Sequence, residues 1–180
     1  MQSIYDYFDE LQNNIFNLQP KDIELKYFDI CKQLSDAAFV QDIYELNMNE
    51  YEEGLEDSFK AALRYLHDNE IKAIYFEFDL DNNWASEFYL CKDYNELSEA
   101  DDDWACDWDI HIDGPSFSRF AQMYQMKGGF HNQQDSIGII LPLIVRTIVS
   151  FLNVVKKYDI SIPICIAYHD QDPIMRTEKD

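Results

Sequence analysis

The segment Asp103-Trp-Ala-Cys-Asp-Trp-Asp-Ile-His-Ile-Asp113 decides how the fold is read. Trp104, Cys106, Trp108, Ile110 and Ile112 fall on one parity, and Asp103, Ala105, Asp107, Asp109, His111 and Asp113 on the other. Successive side chains of a strand point to opposite faces, so this alternation describes a half-buried strand with an apolar and an acidic side. Upstream, Ile74, Phe76, Phe78 and Leu80 alternate with Ala73, Tyr75, Glu77 and Asp79. The polar turn Asp81-Asn82-Asn83 and a return strand from Trp84 to Cys91 make a hairpin of that region. Downstream, Ile160, Ile162, Ile164, Ile166 and Tyr168 alternate again as a last strand, where Pro163 points to an edge position.

Elsewhere the apolar residues recur at helical spacing. Ile4, Tyr7, Phe8, Leu11 and Ile15 form one stripe after a Ser3–Asp6 start, and Ile23, Tyr27, Ile30, Cys31, Leu34 and Ala38 form a second after Gln19-Pro20. A third helix is expected over about Glu50 to His67, with Leu55, Phe59, Ala62, Leu63 and Leu66 on one face. Asp113-Gly114-Pro115 stops the strand and opens a short helix carrying Phe117, Phe120, Ala121 and Tyr124, which ends at Gly128-Gly129. The apolar run Ile137 to Val155 is interrupted by Pro142, Arg146, Ser150 and Asn153. A membrane span needs about 20 nearly unbroken apolar residues, so the run reads as a buried helix from about Pro142 to Tyr158.

The order ααα-ββ-β-αα-β predicts an α+β fold with an antiparallel sheet of about four strands packed against helices. One domain, 1–180, is expected: a helical third over 1–70, a sheet-rich part over 71–113, helices and the final strand over 114–168, and a polar tail over 169–180.

Charge narrows the function. The chain has 35 acidic and 14 basic residues, a net −21, which opposes direct binding to nucleic acid or an anionic membrane. Between Glu77 and Asp113 thirteen acidic residues face Lys92 alone, a net −12. Like charges opposed across strands destabilise a sheet, so such a concentration suits a surface that meets a cationic partner; the plainer alternative is a solvated face kept for solubility. The candidate partner-binding residues are Glu77, Asp79, Glu87, Asp101, Asp102, Asp103, Asp107, Asp109 and His111. Glu77, Asp79, Glu87, Asp107 and Asp109 are expected to share one sheet face.

Catalytic and metal chemistry find little footing. Asp79-Leu-Asp-Asn-Asn83 starts like a calcium loop, but Trp84 stands where that loop needs Gly and Leu90 where it needs Glu. Asp107, Asp109, His111 and Asp113 sit on one parity, where neighbours are about 7 Å apart, too far to share an ion unaided. Cys31, Cys91, Cys106 and Cys165 form no CxxC pair and are expected as reduced core thiols. His67, His111, His131 and His169 are scattered, and no Ser or Cys lies in a nucleophile motif; His169-Asp170 is the nearest approach to an oriented base. No catalytic residue, metal ligand or cofactor is assigned. Met1-Gln-Ser-Ile-Tyr-Asp6 has no basic region before an apolar core, so a cytoplasmic protein is expected.

Ala73-Ile-Tyr-Phe-Glu-Phe-Asp-Leu-Asp-Asn-Asn-Trp84, Phe88-Tyr-Leu-Cys91 and Asp102-Asp-Trp-Ala-Cys-Asp-Trp108 together resemble the small acidic bacterial immunity proteins found beside polymorphic or contact-dependent toxins. That resemblance covers about 40 residues. It implies a cytoplasmic, non-catalytic protein that blocks a cognate toxin domain, commonly a basic nuclease. The rival expectation is a metal-dependent hydrolase or another enzyme using the same acidic strands.

Overall fold

A computed structural model describes residues 2–66, 70–129 and 134–179. Four helices come first: α1 (Ile4–Asn17), α2 (Pro20–Leu34), α3 (Ala37–Glu45) and α4 (Asn49–Leu63). Strands β1 (Ala73–Asp79), β2 (Ala85–Cys91) and β3 (Trp108–Asp113) follow, then helices α5 (Ser118–Met126) and α6 (Gln134–Val155), and strands β4 (Ile164–Tyr168) and β5 (Met175–Arg176). The fold is α+β, as the pattern of the sequence indicates.

The N-terminal part holds four helices among the described residues where three were expected. The second stripe does not run on to Ala38, because Asp36 accepts a hydrogen bond from the Ala38 N–H at 2.9 Å and starts α3. The expected helix end at His67 lies outside the described residues, as does His131.

The sheet differs most from expectation. Among the described residues it has five strands in the order β3-β2-β1-β4-β5, and it is mixed. β1 pairs antiparallel with β2 but parallel with β4, while β2–β3 and β4–β5 are antiparallel. A parallel pair needs a long crossover, which α5 and α6 supply; a strand's own alternation carries no record of its direction. β4 is therefore interior. Pro163 precedes it and contributes its carbonyl, which accepts the Ile74 N–H at 2.9 Å, so the missing N–H forces no edge. Residues 103–106 form a 3-10 turn ahead of β3, where a strand was expected from Asp103.

α6 lies along one face of the sheet. Phe151 stacks on Phe76 with ring centroids 4.7 Å apart, and the buried Trp84 indole donates to Thr147 Oγ1 at 2.9 Å. Trp84 does this from the hairpin turn, with a φ of 54° that a bulky side chain seldom adopts. α4 adds Phe59 against Phe88 at 5.8 Å. The far side of α6 takes α2 and α3, and Gly138 permits the approach: a Cβ there would lie 2.5 Å from the Ser35 Cβ. Arg146 donates to the carbonyls of Ile43, Tyr44 and Leu46 at the end of α3, with its Nε 3.2 Å from Glu24; a cation there complements the helix dipole. The apolar stretch Ser136–Val155 passes for a membrane span by length and composition, yet it is mostly buried inside this fold.

The polar tail contributes a strand, β5, to the sheet. Arg176 of β5 directs its backbone N–H and carbonyl away from β4, and the Gln12 side-chain amide of α1 meets both, at 2.7 and 2.9 Å. One amide thus closes this edge as a neighbouring strand would. Gln12→Ala should lower unfolding free energy by about 2 kcal/mol, since two buried backbone groups lose their partners. It should also promote association through β5, measurable by urea denaturation and by sedimentation at rising concentration; unchanged stability would show that the clamp is idle.

Candidate functional site

On the face of the sheet turned away from α6, Trp104, Ala105 and Ile174 pack with Ala73, Tyr75, Cys91 and Cys165 at one end, while at the other Tyr89 is half-buried and Trp108 and His111 are exposed. Strand register lays its side chains in rows. Arg176, Cys165, Tyr75, Tyr89 and His111, one from each strand, form the first row. Beside it run Ala167, Glu77, Glu87 and Asp113, and on the other flank Ala73, Cys91 and Trp108.

Trp108 reaches this face through a β-bulge. Leu90 pairs with Ile110 but Cys91 pairs with Trp108, so Asp109 is an extra residue in β3 and the parity changes across it. Ile110 and Ile112 keep their places against the helical core, half-buried. Trp108 turns outward, 37% exposed, with its ring 4.9 Å from Tyr89 and 5.2 Å from His111. Trp104 and Trp108 therefore leave the apolar side of the strand on which the alternation places them. Trp104 sits in the 3-10 turn, buried against Tyr75 at 6.4 Å and Tyr94 at 5.2 Å on the outer face.

Three carboxylates face one another across three strands. Glu77 is directly opposite Glu87, and Glu87 directly opposite Asp113. The Gly114 N–H to Ser86 carbonyl bond brackets the second pair, which makes it a non-hydrogen-bonded pair, the kind with the closest side chains. Few groups offset this charge. The Tyr75 hydroxyl donates to Glu77 Oε2 at 2.7 Å, and His169 Nδ1 lies 3.0 Å from Glu77 Oε1. Burial, then the charge of Glu77, holds the Tyr75 hydroxyl well above its usual range, and burial with a hydrogen bond to Glu87 does the same for Tyr89. The bond to Glu77 raises His169, against partial burial, which lowers it.

At the covered end the arrangement is structural. Asp102 accepts from Arg176 Nη2 at 2.9 Å and from the Ile174 N–H at 2.7 Å, tying the tail to the sheet. The Arg176 guanidinium lies over the rings of Trp104 and Tyr94.

The expected site residues thus separate. Glu77, Asp79, Glu87 and His111 are on the outer face; Asp79 also accepts from the N–H groups of Asp81 and Asn82 in the hairpin turn. Asp107 precedes β3 and does not join them, and Asp109, in the bulge, pairs with Lys92 at 2.5 Å. Asp101 and Asp103 are exposed around the 3-10 turn, with Asp101 accepting the Asp103 N–H at 3.0 Å, and Asp102 is a structural anchor. Unchosen from sequence were Asp113, Tyr75, Tyr89 and His169. The two tyrosines share parity with Glu77 and Glu87, a signal open to reading, whereas His169 reaches Glu77 only through the parallel β1–β4 pair. All four cysteines are free; Cys31, Cys91 and Cys165 are buried and Cys106 is exposed, so it is no core thiol. Burial pushes the Cys91 thiol up to about 12. Among the described residues no group of three or more His, Cys, Asp or Glu side chains is placed to hold a metal ion.

The chain matches no protein-family model, no curated protein sequence and no solved structure.

Two measurements check the electrostatics. Glu87→Gln with Asp113→Asn should raise the melting temperature by about 1–4 °C at low salt, because opposed like charges are removed, and the gain should shrink as salt is added; a lower melting temperature would contradict the repulsion. The His169 imidazole should titrate above 6.5 by NMR and return toward it in Glu77→Gln. With the folded value raised, its stabilising contribution is complete below about pH 6.5 and is lost as pH rises through the folded value.

Proposed function

We propose that this chain is a non-catalytic binding protein that holds a basic protein domain on its outer sheet face. Its role on this reading is that of a cytoplasmic immunity protein neutralising a toxin domain such as a nuclease. The observation that carries the proposal is the row Glu77–Glu87–Asp113 beside Tyr89 and His111, on the end of the outer face that no helix covers among the described residues. A fold has no structural need to oppose three carboxylates in one row, and a cationic partner removes their repulsion. The same field would speed encounter with that partner, and the half-exposed Trp108 and Tyr89 offer the aromatic contacts on which interfaces concentrate their energy. The toxin-directed role rests on the resemblance of the acidic strands to immunity proteins.

A metal-dependent hydrolase built on the same strands is the rival. It would require three or more acidic or imidazole groups to converge on an ion, and among the described residues no such group is placed to hold one.

The test is neutralisation. The protein encoded by the adjacent reading frame is produced in bacteria alone, with this chain, and with a variant carrying Glu77→Gln, Glu87→Gln and Asp113→Asn. The unmodified chain should restore growth. The variant should associate about tenfold more slowly, with a weaker dependence on salt, and should protect poorly. Full protection by the variant at an unchanged association rate would overturn the proposal.

A further inference from the structure

The outer face already holds one arginine site, filled by the chain itself. The Arg176 guanidinium lies 5.1 Å from the Trp104 ring centroid and 5.5 Å from that of Tyr94, and it donates to Asp102 at 2.9 Å. Arg176 begins the row that ends at His111. At that far end a second group of the same composition is assembled. The ring centroids of Trp108 and Tyr89 are 4.9 Å apart, and the carboxylates of Glu87 and Asp113 stand on the row that flanks Tyr89 on the side away from Trp108. Among the described residues no arginine or lysine lies over either ring. Lys92, the nearest in sequence, is engaged with Asp109. The two tryptophans differ accordingly, with Trp104 4% and Trp108 37% exposed.

We infer that the open end of this face, bounded by Trp108, Tyr89, Glu87 and Asp113, is the docking site for an arginine side chain of the basic partner protein. The inference rests on the reading of this face as the partner surface and specifies what anchors there. Charge alone would accept lysine equally. A planar, weakly hydrated guanidinium also stacks on aromatic faces and makes paired hydrogen bonds to carboxylates, neither of which an ammonium group can match. The Tyr89 ring, with Trp108 on one side of its row and Glu87 and Asp113 on the other, offers a stacking face and carboxylates to one side chain.

The probes are an octalysine peptide and an octaarginine peptide, titrated by NMR against the full-length chain at one salt concentration. Octaarginine should bind about fivefold more tightly. In the unmodified protein it should move the Trp108 indole signal further than those of Trp84 and Trp104, which are 0% and 4% exposed. Trp108→Ala should bring the two affinities together, while Glu87→Gln with Asp113→Asn should weaken both peptides and keep their ratio. Equal affinities in the unmodified protein, with both still weakened by the charge substitutions, overturn the arginine site and leave the acidic surface standing. If neither peptide binds, or the charge substitutions alter neither affinity, the surface reading fails and the arginine site fails with it.

Discussion

Phe151 of α6 stacked on Phe76 of β1 is the contact about which the molecule is organised. It commits one face of the central strand to a helix, and through β1 it commits the same face of β2 and β4. A single helical layer cannot cover both sides of a sheet. The chain treats its second face in two ways: at one end Trp104, Tyr94 and Arg176 close over it, and at the other Trp108, Tyr89 and the carboxylate row stand open.

Both edges of the sheet follow the same division. The Gln12 amide satisfies β5, the edge beside the covered end. β3, the edge beside the open end, is bulged and has Asp109, His111 and Asp113 exposed, features that discourage pairing with another sheet. Charge keeps this edge soluble and, on the proposed reading, attracts a partner. Repulsion within Glu77–Glu87–Asp113 opposes the folded state, and sites that oppose folding in this way commonly serve binding.

Composition and periodicity made much of this legible. Alternation over residues 73–91 places Tyr75, Glu77, Glu87 and Tyr89 opposite Phe76 and Phe88, and the register bears that out. The apolar run around Ile144 reads as buried, and it is. What misled was local pattern without pairing partners. Trp104 and Trp108 share a parity in sequence, yet a 3-10 turn and a bulge intervene, and both tryptophans belong to the outer face. Asp102 looks like any other member of an acidic run, and only the arrival of Arg176 from the far end of the chain makes it an anchor.

The sequence by itself determined the class of fold, the side of β1 and β2 that enters the core, and the strand-rich segment that carries the charge. These are local properties, written in the period of apolar residues and in the number of carboxylates. Tertiary structure alone decided the parallel pairing of β1 with β4, the rotation of Trp108 and the approach of His169 to Glu77. Each of those depends on which backbone groups meet across the sheet, and residues distant in the chain settle that together.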